Sequence, residues 1–179
     1  MKKSLLLLAA LASLSSTCLA DALLLTVNAT PYDNQMARIR PVLTAPAASS
    51  NRTSIAMVNA WMSDLREIPY GYQMIWKTPS EVESRNPADC KGKAVTLYQR
   101  MQARGATNVR LVIGKRAPTS KMTHAWLEWQ TNEGTFVLDP TFNYSATRAE
   151  KIGKRSYVPL YAYAGSKKFR AAGTLLAQN

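Results

Sequence analysis

Three residues of this chain have the types and spacing for nucleophilic catalysis: Cys90, His124 and Asp139. A cysteine attacks carbonyl carbon as its thiolate, a histidine carries protons at neutral pH, and a carboxylate beside the imidazole orients it. The chain has two cysteines and one histidine in 179 residues, and Cys18 falls in an apolar leader, so Cys90 is the thiol that export would leave. An unpaired thiol in an oxidising compartment is a liability unless it has a task. Cys90 follows Pro87-Ala88-Asp89 and opens a helical stretch. The first turn of a helix has unpaired amides and a positive partial charge, which favour a thiolate. His124 comes 34 residues later at the start of an alternating segment, and Asp139 ends the next one, in Val137-Leu138-Asp139-Pro140. In an antiparallel hairpin the start of one strand lies beside the end of the next, so these two are expected to be neighbours. Taken singly, each has an ordinary reading: a packed inert thiol, a satisfied strand-start histidine, a turn aspartate before proline. Together they fit acyl transfer. Cys90 attacks an amide carbonyl, and His124 protonates the leaving amine and then activates water. The Cys90 N–H and a second donor, Gln73 or Trp76, would face the oxyanion.

The elements that must position these residues follow from periodicity. Asn51 or Thr53 is the expected cap of a helix ending near Leu65, with Ile55, Val58, Met62 and Leu65 on its buried face. Ser80 to Glu83 fits a short helical turn after Pro79. A second helix spans Cys90 to Arg104, with Ala94, Leu97, Tyr98 and Met101 on the Cys90 stripe, Lys93 off it, and Gly105 as the stop. Strands are expected over 108–114, 123–130 and 135–139, with a fourth at 157–163 weakened by Pro159. Helices precede strands without βα alternation, which predicts an α+β fold, the nucleophile heading a helix packed on an antiparallel sheet.

Composition bounds the rest. Met1-Lys2-Lys3, a Leu- and Ala-rich run and then small polar residues have the plan of a signal peptide over residues 1–20, cleaved near Ala20 or Ala22. The expected location is the periplasm or the medium, and Thr17 argues against lipidation at Cys18. Residues 21–50, with Pro31, Pro41 and Pro46, read as an extended arm before a domain at 51–179. No further apolar run is long enough to span a bilayer. The net charge is +12, or +10 once Lys2 and Lys3 leave with the signal. Such charge attracts anionic partners, but no groove-reading motif points to nucleic acid. One mature histidine and one mature cysteine argue against a zinc site, and no glycine-rich phosphate loop is present. Lys151 to Arg155 with Lys167, Lys168 and Arg170 reads first as a solvated basic face, with attraction of acidic substrates as the alternative.

The run Asp89-Cys90-Lys91-Gly92-Lys93-Ala94, then His124-Ala125-Trp126-Leu127-Glu128 and Val137-Leu138-Asp139-Pro140-Thr141, resembles the transglutaminase-like superfamily. Val58-Asn59 and Trp76-Lys77-Thr78-Pro79-Ser80-Glu81 make residues 53–143 similar to the bacterial transglutaminase-like cysteine proteinases. The resemblance implies a papain-like fold, with Cys90 as nucleophile, His124 as general base and acid, and Asp139 as orienter. Some members cut surface adhesins in the periplasm, and an Asp-Cys-Glu-Asp run can support calcium binding there. Here Lys91-Gly92 replaces the acids, so no calcium or other cofactor is expected, and the adhesin substrate does not carry over directly. Three functions compete. One is a cysteine peptidase or amidase acting on a protein or peptide, with envelope-associated polypeptides among the candidates. The second is a transglutaminase transferring the acyl group to an amine. The third is a non-catalytic papain-like module on an anionic envelope partner.

Overall fold

The structure, a computed structural model, describes residues 23–153 and 155–172. The leader, Cys18 and both cleavage positions lie outside the described residues. Helix α2 (Ile55–Glu67) begins at Ser54, whose Oγ accepts the Met57 N–H at 3.3 Å. Asn51 and Thr53, the expected caps, are otherwise engaged: Asn51 Oδ1 accepts the Thr53 N–H and the Thr53 hydroxyl donates to Arg104 O. Val58, Met62 and Leu65 are fully buried as the periodicity predicts, and Ile55 packs at the core's edge. The helix α3 (Pro79–Glu83) starts with Pro79 and a Thr78/Glu81 capping box.

Helix α4 (Cys90–Ala103) is the central helix, buried along most of its circumference. Asp89 caps it, with Oδ1 accepting the amides of Lys91 at 3.1 Å and Gly92 at 3.2 Å. Gly92 lets α3 come close, since a Cβ there would meet Val82 Cγ2 at 3.0 Å. Lys93 corrects the wheel reading. Instead of standing clear, it is 2% exposed and donates to Ile68 O at 2.6 Å and Arg66 O at 3.5 Å. Those are terminal carbonyls of α2, so the ammonium caps a neighbouring helix through its buried stem. Burial holds this lysine's pKa below its ordinary value, as does the nearby Arg66 charge.

Against α4 lies a seven-stranded sheet, antiparallel throughout, in the order β1-β7-β6-β2-β3-β4-β5. Its strands are β1 (Leu24–Thr26), β2 (Val109–Lys115), β3 (His124–Thr131), β4 (Gly134–Leu138), β5 (Thr147–Arg148), β6 (Val158–Ala164) and β7 (Lys167–Ala171). The main core joins α2, α4 and one sheet face, and a smaller cluster around Val112, Trp126, Val137 and Ala162 covers the other. Pro159 does not abolish β6. It pairs with Gly114 where the register shifts, at a bulge that needs no regular ladder N–H.

The segment 23–50 corrects the picture of an extended arm. Strand β1 pairs with β7 at the sheet edge, and helix α1 (Arg40–Thr44) takes Pro41 in its first turn. Met36, Ile39 and Leu43 recur at helical spacing and are buried in the main core. Pro41, read as a break, is compatible with this packing because a helix's first turn has no use for its missing N–H, while Pro31 and Pro46 lie outside the helix. The basic run 167–171 is also more than a solvated face, since it forms β7, joined to β6 through Gly165 at φ 61°.

Candidate functional site

The two structural layers meet at the start of α4. Cys90 is a free cysteine, 7% exposed, at the first helical position. His124 opens β3, paired with Gly114, and Asp139 follows the last residue of β4. The β3/β4 register, with Leu127 opposite Leu138, puts His124 and Asp139 at the same end of the hairpin. His124 Nε2 lies 2.8 Å from Asp139 Oδ2, and the Cys90 side chain is within hydrogen-bonding range of the same ring. With Nε2 engaged by the carboxylate, Nδ1 is the nitrogen left for the sulfur. The three residues singled out by type are therefore brought together.

Burial disfavours the imidazolium, but hydrogen bonds and charge from Asp139 and Cys90 outweigh it and raise the His124 pKa to about 9. Asp139 is fully buried, which disfavours its charge, yet His124 and two further donors hold its pKa below the ordinary value. Those donors are the Tyr157 hydroxyl, 2.8 Å from Oδ2, and the Thr141 amide, 3.0 Å from Oδ1. Tyr157 is pushed up to about 12 by its own burial and by the neighbouring Asp139 charge. Its backbone takes φ 54°, a left-handed value uncommon for a bulky residue. Sequence reasoning misses Tyr157, because no spacing rule links the residue before β6 to the end of β4. The imidazole is further bracketed by Trp126, stacked at 6.2 Å between centroids, and by Phe142 at 5.2 Å. Gly114 accommodates that indole, since a Cβ there would meet Trp126 Cη2 at 2.6 Å.

The structure separates the two candidate oxyanion donors. Trp76 is 1% exposed, lines the cleft beside Cys90, and its indole Nε1–H has no hydrogen-bond partner. Gln73 is held by its backbone: its N–H donates to Asp89 Oδ2 at 3.3 Å and its carbonyl accepts from Lys91 Nζ at 2.9 Å. It is not among the residues lining the cleft. The cleft itself encloses about 530 Å³. One wall is the 70–76 segment with exposed Tyr70, Tyr72 and Met74; the other is the β2–β3 loop with Arg116, Lys121 and Met122.

No protein-family profile matches the chain, and no curated protein does either. Solved structures do. Legionella pneumophila LapG superposes with a TM-score of 0.56 at 16% identity, covering 79% of this chain and 80% of that one. The EGTA-treated form gives 0.57 at 17% identity, covering 75% and 73%, and the calcium-bound form gives 0.55 at 18%, covering 76% and 75%. The fold is transglutaminase-like.

A transglutaminase-like neighbour solved with calcium raises the question of whether this protein has a place for that ion. Calcium takes six to eight oxygen ligands, with carboxylates prominent. The carboxylate at the residue before Cys90 is Asp89, and its oxygens are engaged by the amides of Gln73, Lys91 and Gly92 and by the Lys91 ammonium. Lys91 Nζ also takes the Gln73 carbonyl, so a fixed cation already sits among those oxygens. Both oxygens of Asp89 are thus already partnered. Among the described residues no group of three or more His, Cys, Asp or Glu is disposed to hold a metal.

Proposed function

We propose that the protein is a cysteine peptidase or amidase that cleaves amide bonds in a polypeptide through an acyl-enzyme on Cys90. The observation that carries this reading is one imidazole in contact with both a free thiol and a buried carboxylate, at the edge of an open cleft. The fold likeness to LapG, a transglutaminase-like cysteine protease, supports it.

Near neutral pH a histidine with a pKa of about 9 carries a proton to deliver, and the attacking form of Cys90 is its thiolate. The thiolate adds to the amide carbonyl carbon, and the carbonyl oxygen takes the negative charge. The Cys90 N–H, at the first turn where helix geometry supplies no carbonyl for it, and the unpartnered Trp76 indole N–H are the donors for that oxygen. As the tetrahedral species collapses, His124 gives its proton to the leaving nitrogen and the C–N bond breaks. The neutral imidazole then takes a proton from water, whose oxygen attacks the thioester. Thiolate departs, leaving a carboxylic acid. Asp139 acts through His124 by fixing its tautomer and stabilising its charge, and Tyr157 holds Asp139.

Lys91 replaces the metal in this reading, so turnover proceeds in EGTA. We also read residues 1–20 as an export signal, with the mature protein working in the periplasm or outside the cell. Among the described residues no helix is long and apolar enough to cross a membrane. The test is a comparison of envelope proteins from cells expressing the intact protein or Cys90→Ala. A polypeptide shortened only by the intact protein supports the reading. Incorporation of a primary-amine probe without shortening would replace hydrolysis by transamidation. Cys90 alkylating at pH 6 no faster than a free model thiol would defeat both.

A further inference from the structure

The two walls of the cleft differ in charge. The 70–76 wall presents Tyr70, Tyr72 and Met74 and no ionised side chain to the lining. The β2–β3 wall presents Arg116 and Lys121. The one acidic residue in the lining, Asp89, is buried and already paired with Lys91. Among the described residues neither Arg116 nor Lys121 has a carboxylate partner, although both are exposed.

An exposed arginine is ordinarily a solvated, mobile charge. Arg116 is held. Its guanidinium lies over the Phe142 ring, 4.1 Å from the centroid, and Phe142 packs on His124 at 5.2 Å. Its carbonyl accepts the Tyr157 N–H at 2.9 Å, and its side chain is within hydrogen-bonding range of the Tyr157 hydroxyl. Contact with one ring and one hydroxyl limits the guanidinium's motion, and its five N–H donors exceed what that hydroxyl can take. A planar fork of this kind matches a carboxylate in two parallel hydrogen bonds.

The chemistry fixes which half of a substrate passes here. The general acid must reach the leaving nitrogen, so the substrate residues that follow the broken bond lie on the His124 side. That is the side of Phe142 and Arg116. We propose that the cleft selects polypeptides bearing an Asp or Glu side chain within the first few residues after the cleaved bond, with Arg116 binding that carboxylate and Lys121 adding attraction at longer range. The proposal rests on the peptidase reading and names its substrate class. The opposite wall supplies the aromatic surface for apolar residues on the acyl side.

The test uses the full mature protein and a mixture of peptides varied at the three positions after each potential cleavage bond, read by mass spectrometry. Products with Asp or Glu just after the cut should dominate. Arg116→Ala should lower the ratio of kcat/KM for acidic over neutral peptides by about 10- to 100-fold, the worth of a charged hydrogen-bonded contact, over and above any loss common to both through Phe142 and Tyr157. Arg116→Glu should turn the preference toward Lys, a reversal that a folding defect cannot produce. Lys121→Ala should cost less, about two- to fivefold, and the effect should fade as salt is raised. Cleavage by the intact protein with no acidic preference, or an acidic preference unchanged by Arg116→Glu, would overturn the proposal while leaving the peptidase reading standing. Peptides uncut by the intact protein, with Cys90 slow to alkylate, would remove both.

Discussion

Two aspartates are sealed from solvent on either side of Cys90, and their company differs. Asp89 answers a helix terminus: it takes backbone amides of Gln73, Lys91 and Gly92 and one ammonium. Asp139 takes backbone amides too, those of Thr141 and Phe142 on Oδ1, but its Oδ2 meets the His124 imidazole and accepts from the Tyr157 phenol. An ammonium keeps its charge throughout the neutral range, whereas an imidazole changes charge within reach of it. The first carboxylate therefore belongs to a permanent clamp that ties the 70–76 segment to α4. The second belongs to a group that gains and loses a proton. Equal burial thus serves opposite ends, and the nature of the partner decides which.

The sharpest way to break the contrast is Asp139→Asn. It keeps size but removes the charge that fixes the His124 tautomer, and kcat/KM should fall about 10³- to 10⁴-fold. The His124 pKa should drop from about 9 toward the ordinary 6.5, which NMR titration of the single histidine reads directly. Asp89→Ala should do the reverse, acting first on stability. It leaves a partly buried ammonium and helix amides without their acceptor, at a cost of about 1–3 kcal/mol in denaturant unfolding. Tyr157→Phe lies between, losing about 1 kcal/mol for its part-buried hydrogen bond to Asp139. Its activity loss should exceed its stability loss if orientation of Asp139 is what the phenol contributes. The smallest expected effect is that of EGTA, which should leave both activity and melting unchanged.

Acidity sharpens the same comparison. His124 has a folded pKa raised above its unfolded value. Its contribution to stability is complete below 6.5 and is lost as pH rises through about 9, because the folded protein holds a proton that the unfolded one has released. Asp139 has its folded pKa lowered, so its contribution is complete above the ordinary 3.8 and lost as pH falls through the depressed value. Thermal unfolding followed across pH should show a plateau between these limits. Asp139→Asn should remove the alkaline fall of the plateau along with the acid one.

Residue type carries much of the site in advance, and the reasons are local. Cys90 at a helix start after a capping Asp89, and His124 and Asp139 at one end of a hairpin, follow from neighbouring residues and short-range strand pairing. α2, α4 and four strands are legible for the same reason. Tyr157 is not, because it reaches Asp139 only after β6 pairs with β2 across a bulge. Nor is the packing of 23–50, since Met36, Ile39 and Leu43 cover about two helical turns among prolines and gain meaning only against a core supplied by later residues. Lys93 escapes a wheel projection because polar residues are assigned outward by default, and the carbonyls that receive it belong to another helix.

The order along the sequence of the groups around Asp139 carries a consequence for synthesis. A growing polypeptide acquires its sulfur first, its imidazole and carboxylate tens of residues later, and the supporting phenol later still. An unfinished polypeptide is chemically harmless, because a sulfur without its proton carrier cuts nothing. In the proposed chemistry, reactivity switches on only when the last strands close and the phenol reaches the carboxylate.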